Sequence, residues 1–163
     1  MDKQFLLQQL ADHLRGSASV ARKAGLAAEE EAREGATAAE KRENARVSQE
    51  YSGLARGQLA RANRALAEIA ALETFRPPAR VPARGPVTLG AIVEVEDGAM
   101  GRTFFLAPVG AGVELTGPGG DGFLSVVTPV SPVGKSVLGR RVGDTIEVTV
   151  EGEPREWTIT FVE

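Results

Sequence analysis

Two acids, Glu40 and Glu43, stand three residues apart in the stretch Gly35-Ala36-Thr37-Ala38-Ala39-Glu40-Lys41-Arg42-Glu43-Asn44-Ala45. On a helix, positions i and i+3 share a face, so both carboxylates can point at one ion. Carboxylate oxygens are hard ligands, and magnesium usually takes only one or two of them from a protein. The plainer alternative is a pair of first-turn acids on a solvated helix, where the helix dipole favours them. Spacing alone favours that plainer alternative. Other chemistries are closed off. There is no cysteine, hence no disulfide, zinc ribbon or thiol nucleophile. His13 is the only histidine and falls far from these acids, which excludes a His-dependent triad around them. It is expected on the surface. The loop Gly117–Gly122 lacks the lysine and the following Ser/Thr of a phosphate-binding loop.

The elements that must position Glu40 and Glu43 are two long helical runs. The first spans Lys3–Glu34, with Asp2 as its cap. Leu7, Leu10, Leu14, Ala18, Ala21, Ala24 and Ala28 recur at three- and four-residue steps, a heptad seam that thins to alanine. Gly16 and Gly25 inside it each cost about 1 kcal/mol against alanine. Gly35 is a natural end, and Thr37 with Glu40 has capping-box spacing for a second helix. That helix continues to about Phe75 with a matching seam of Val47, Tyr51, Ala55, Leu59, Ala62, Leu66 and Ile69. Gly53 and Gly57 are expected to let the helices approach closely. The two runs predict an antiparallel hairpin roughly 50 Å long. The stretch 35–45 is its tip, and the globular mass lies at the other end.

Residues 76–86 hold four prolines and three arginines, Arg76, Arg80 and Arg84. Such a run cannot continue a helix and predicts a stiff linker whose arginines are solvated. The expected organisation is a hairpin over 1–75, a linker over 76–86 and a sheet domain over 87–163. From Val87 the hydrophobic period becomes two. Strands are expected at Val87–Glu96, Arg102–Pro108, Gly112–Thr116, Phe123–Thr128, Thr145–Val150 and Arg155–Val162, with turns at Asp97-Gly98 and Glu151–Pro154. Ser131 as cap, Pro132 at the first position and Gly139 as stop predict a two-turn helix. Val133 and Leu138 are expected to pack it onto the sheet. Trp157, Ile159 and Phe161 alternate, as do Ile146, Val148 and Val150, and are the predicted core. The fold class is α+β: a coiled-coil hairpin, then a small antiparallel β domain with one short helix.

Charge follows the same division. Residues 1–75 carry eleven basic and eleven acidic side chains, as a solvated hairpin should, and 76–163 carry eight and eleven. Net charge is −3, and aromatics are 5% of the chain. No basic face or stacking platform is evident, so no independent DNA binding is expected. The N-terminus lacks a signal-peptide pattern, and no apolar run approaches the ~20 residues of a membrane span. A cytoplasmic monomer with no membrane association is expected.

The segment Ser131-Pro132-Val133-Gly134-Lys135-Ser136-Val137-Leu138-Gly139-Arg140-Arg141-Val142-Gly143-Asp144 resembles the C-terminal signature of the bacterial Gre transcript-cleavage factors, GreA and GreB. In that family a Ser-Pro opens the short helix and a Gly-Asp precedes the last hairpin. Glu43-Asn44-Ala45 resembles the family's Glu-Asn-Ala at the coiled-coil tip, and Glu40 stands where the family places another acid. The order of coiled coil, linker and FKBP-like sheet domain also agrees. The resemblance spans essentially the whole chain.

The resemblance implies a partner, RNA polymerase, and a role in stimulating cleavage of backtracked RNA. The tip would enter the polymerase's secondary channel. Glu40 and Glu43 would be the catalytic acids and would help hold a Mg²⁺ shared with the polymerase active site. Asn44, Lys41 and Arg42 would support the tip. Val130, Ser131 and Pro132 would bind polymerase. RNA would be met only at its 3′ end within the complex. The chain alone would be no enzyme and would bind no cofactor by itself.

Three departures from the family pattern stand out. The first acid is Glu for Asp, and Lys41 and Arg42 sit between the acids. Val130 replaces an acid that some members carry. The tract Tyr51–Gln58 is closer to a divergent GreA/GreB-like branch. Two other functions remain open: a secondary-channel regulator that does not stimulate cleavage, and a coiled-coil module unrelated to polymerase. Proline isomerisation does not follow from an FKBP-like shape, because fold does not carry function and no aromatic-lined pocket is evident.

Overall fold

The computed structural model describes residues 2–34, 44–79, 81–82, 85–98, 100–120, 122–150 and 152–163. The chain is α+β, with two long helices followed by a six-stranded sheet and one short helix. It divides into two compact units, Asp12–Ala70 and the combination of Met1–Ala11 with Ala71–Glu163. Helix α1 spans Lys3–Glu34 and α2 spans Asn44–Thr74. Asp2 caps α1 as expected: its Oδ1 accepts the amides of Gln4 at 3.0 Å and Phe5 at 3.3 Å. The expected Thr37–Glu40 cap lies outside the described residues.

In the unit Asp12–Ala70 the helices run antiparallel. Ser48 Oγ donates to the Ala32 carbonyl at 3.4 Å, and Gly25 lies against Leu59 and Ala55. The seam differs from the expected one at several positions. Gly25 is buried in place of Ala24, and Ala65 in place of Leu66. Val47 and Tyr51 are exposed, and Ser48 and Ser52 stand nearer the seam. Close helix approach favours the smallest residue available at each turn, which displaces the large ones to the flanks. Gly53 and Gly57 are not part of that approach. Both are exposed and face open space.

The sheet belongs to the other unit. Its strands are β1 (Ile92–Glu96), β2 (Gly101–Leu106), β3 (Glu114–Thr116), β4 (Phe123–Val127), β5 (Thr145–Val150) and β6 (Glu153–Val162), in the order β3-β4-β2-β1-β6-β5. Four ladders are antiparallel, but β2 and β4 pair in parallel, Phe105 opposite Val126. The sheet is therefore mixed rather than wholly antiparallel. The chain after β2 skips one position to lay β3 at the edge, and β4 returns into the gap in the direction of β2. The last hairpin is tighter than expected: Val150 pairs with Glu153, and Gly152 before it has φ 87°. Pro154 is tolerated in β6 because only β5 flanks it there.

One sheet face carries Val93, Val95, Phe104, Leu106, Trp157 and Ile159, closed over by helix α3 (Pro132–Val137) through Val137. Trp157 stacks on Phe104 at 5.8 Å, and the Arg102 guanidinium carbon lies 5.5 Å from the indole. Ile146 and Val148 join this core as expected. Phe161 does not, and is 41% exposed. The register slips between Glu94 and Val95, which pair with Phe161 and Ile159. That bulge at Thr160 turns Phe161 off the core face and brings Val162 onto it. The opposite face carries Ile92, Phe105, Val126 and Leu124, all buried. The start of α1 belongs to this unit, with Leu10 packed on Gly110 and Gln9 bonded to Thr116.

Candidate functional site

The expected docking residues fall in one loop whose rigidity is set by Ser131. This residue is extended at φ −71°, ψ 154° and caps α3. Its hydroxyl donates to the Thr128 carbonyl at 2.8 Å and accepts the amides of Gly134 at 3.1 Å and Thr128 at 3.2 Å. A hydroxyl has one proton and two lone pairs, so this one is saturated. The Ser131 amide also donates to the Thr128 carbonyl, at 3.0 Å, and the Lys135 amide to the Ser131 carbonyl, at 2.9 Å. The Ser131 hydroxyl therefore positions its neighbours and has no bonding capacity left over for a partner.

The neighbours are what face outward. Val130 is 77% exposed, and Pro132 is exposed beside it. Val133 and Val137 turn inward to the sheet core. Leu138 does not pack the helix down as the sequence suggests; it is 43% exposed, because the chain leaves α3 there in an extended conformation at ψ 127°. Gly139 follows at φ 79°, and its amide bonds the Val87 carbonyl at 2.9 Å. The Val87 amide returns a bond to the Arg140 carbonyl at 2.7 Å. Lys135, Arg140 and Arg141 are exposed around this helix.

Sequence reasoning missed two residues that hold the loop. Thr128 is buried and supplies both the carbonyl and the amide that fix Ser131. Gly134 packs so tightly that a β-carbon there would overlap the Thr128 carbonyl oxygen. The one available signal was the glycine three residues after a capping serine, inside a helix where glycine is otherwise unfavourable.

Asn44 is the first residue of α2. Glu40, Lys41, Arg42 and Glu43 lie outside the described residues. Among the described residues no group of three or more His, Asp or Glu side chains could hold a metal ion. No helix among them is long and apolar enough to cross a membrane. His13 is exposed, as expected.

A family model described as transcription elongation factor, GreA/GreB, C-term matches residues 82–163, half of the chain. The chain belongs to the GreA/GreB family. The match takes in the Ser131 cap, the Gly139 turn and the last hairpin. Solved structures also show likeness. The transcription factor Gfh1 is 19% identical, with 96% of this chain and 92% of that one covered and a TM-score of 0.39. Gfh1 of Thermus aquaticus is 18% identical over the same shares, with a TM-score of 0.39. The GreA/GreB elongation factor of Nitrosomonas europaea is 22% identical, covering 60% of this chain and 78% of that one, with a TM-score of 0.39. No curated protein matches the chain.

Proposed function

We propose that this GreA/GreB-family chain binds RNA polymerase through the loop Val130-Ser131-Pro132 and stimulates cleavage of backtracked RNA from the secondary channel. The family match over residues 82–163 is the observation that carries this reading. Val130 and Pro132 would make the contact, and Ser131 would hold them in place through Thr128 and Gly134. The hairpin turn would bring Glu40 and Glu43 to the active site, with Asn44, Lys41 and Arg42 supporting them.

The donor chemistry fits magnesium. Two carboxylates are hard ligands in the number that a magnesium site usually draws from one protein, and the remaining ligands would belong to the polymerase. Bound there, the ion would stabilise charge on the attacking and leaving oxygens of the phosphodiester. The chain's own part is to orient two carboxylates, while Lys41 and Arg42 neutralise RNA phosphate. It is then an accessory factor and not an enzyme by itself.

A second reading is favoured by those same two cations. Lys41 and Arg42 between the acids oppose cation binding by local positive charge, which suits a channel occupant that regulates polymerase without stimulating cleavage. Binding is tested first. Val130→Lys is expected to weaken association with purified core polymerase at least about tenfold while leaving the melting temperature unchanged. Unchanged association would remove Val130 from the interface.

A further inference from the structure

Within the unit Asp12–Ala70, the close approach of the helices leaves large apolar side chains on the flanks, exposed to water. The seam is filled by Ala18, Ala21, Gly25, Ala28, Ala55 and Ala62. Leu26 and Leu66 stand beside it, 51% and 53% exposed. Small residues let the helices approach closely, and the leucines beside them leave apolar surface that a further helix can cover. The two leucines line a cleft of about 580 Å³ whose floor includes Leu59, Ala62 and Ile69. Arg15 and Arg22 border it, and no acidic residue does. They are seven residues apart, hence on one side of α1 and roughly 10 Å from each other along it. Arg15 is paired with Asp12 at 2.9 Å. Arg22 makes no ion pair among the described residues.

We propose that this cleft seats an acidic amphipathic helix of RNA polymerase, completing the hairpin as a three-helix bundle. The proposal rests on the chain being a polymerase accessory factor. A third helix is the element whose apolar stripe repeats at the spacing that a groove between two helices accepts. The cleft has room for several apolar side chains. Arg22, which has no acid of its own among the described residues, matches an acid flanking the apolar stripe of such a helix, and fully covering Leu26 and Leu66 supplies the driving force.

The test uses the full chain and purified core RNA polymerase. A photo-cross-linking residue replaces Leu66, and a control replaces Gly57, which faces open space. The Leu66 position is expected to capture a helical polymerase peptide with an apolar stripe flanked by Asp or Glu, and the Gly57 position is not. Leu66→Glu and Arg22→Glu are each expected to weaken binding at least about tenfold. Both positions are exposed, and unchanged far-UV circular dichroism verifies that the hairpin is kept. Capture of a basic or non-helical peptide overturns the proposal. So does wild-type affinity in both variants, which leaves the polymerase reading standing. A wild-type chain that does not bind polymerase overturns the reading and the cleft together.

Discussion

Gln9 in helix α1 holds Thr116 on the edge strand β3 by both backbone groups. Its Nε2 donates to the Thr116 carbonyl at 2.8 Å, and its Oε1 accepts the Thr116 amide at 3.1 Å. One side chain thus does for β3 what a seventh strand would, and closes part of an exposed edge. Gln9→Ala leaves a partly buried amide and carbonyl without these partners. It is expected to cost about 1–3 kcal/mol in denaturant unfolding. A loss below a few tenths would mean that water replaces Gln9 without penalty.

Nothing in the sequence marks Gln9 for that task, since a polar residue on a long helix ordinarily faces solvent. The α1 start was legible because Asp2 is a strong cap, and α3 because Ser131-Pro132 opens it and Gly139 stops it. What depended on tertiary pairing was not. The parallel β2–β4 ladder follows from which gap β4 fills, and Phe161 leaves the core because β6 bulges against β1. Seam positions were off by one at Ala24 and Leu66 because hydropathy ranks leucine above glycine and alanine, whereas close helix approach ranks them the other way. Of the candidate site, the Ser131 cap and the short helix after it were legible by residue type. The saturation of Ser131 was not, because it depends on the fold of Thr128 and Gly134.

Gly134 and the Ser131 hydroxyl make a separable pair of predictions. Gly134→Ala forces a β-carbon into the Thr128 carbonyl and is expected to cost about 1–3 kcal/mol, with polymerase affinity falling alongside. Ser131→Ala is expected to cost about 1 kcal/mol, and Ser131→Asp to recover part of it as an alternative cap. Thermal melts of the three variants decide this. A Ser131→Ala chain that melts like wild type would contradict the positioning role.

The helix glycines divide by their surroundings. Gly57 faces open space, so Gly57→Ala is expected to stabilise the chain by about 1 kcal/mol. At Gly25 a β-carbon would meet Leu59 at 3.0 Å, so Gly25→Ala is expected to gain less or to lose stability. Equal gains at both positions would show that Leu59 moves aside freely.

Lys3 gives a pH dependence. Its ammonium donates to the Pro78 carbonyl at 2.9 Å, and the residue is buried. Burial lowers its pKa below the usual 10.5, and Glu163 pulls it partly back. The unfolded chain then keeps this proton to higher pH than the folded one. Stability therefore rises as pH climbs from the lowered pKa toward 10.5, and the contribution is constant below it. Lys3→Met is expected to abolish that rise. Denaturant midpoints of both chains in alkaline buffers check it, and parallel curves would contradict it.

The account turns on Glu40 and Glu43. The direct measurement is the release of short 3′ RNA from a purified backtracked elongation complex, with and without the protein. The wild-type chain is expected to accelerate release, and the Glu40→Ala, Glu43→Ala double variant to bind polymerase equally well while losing most of that acceleration. Release by the double variant at the wild-type rate, or none with the wild-type chain, would contradict it.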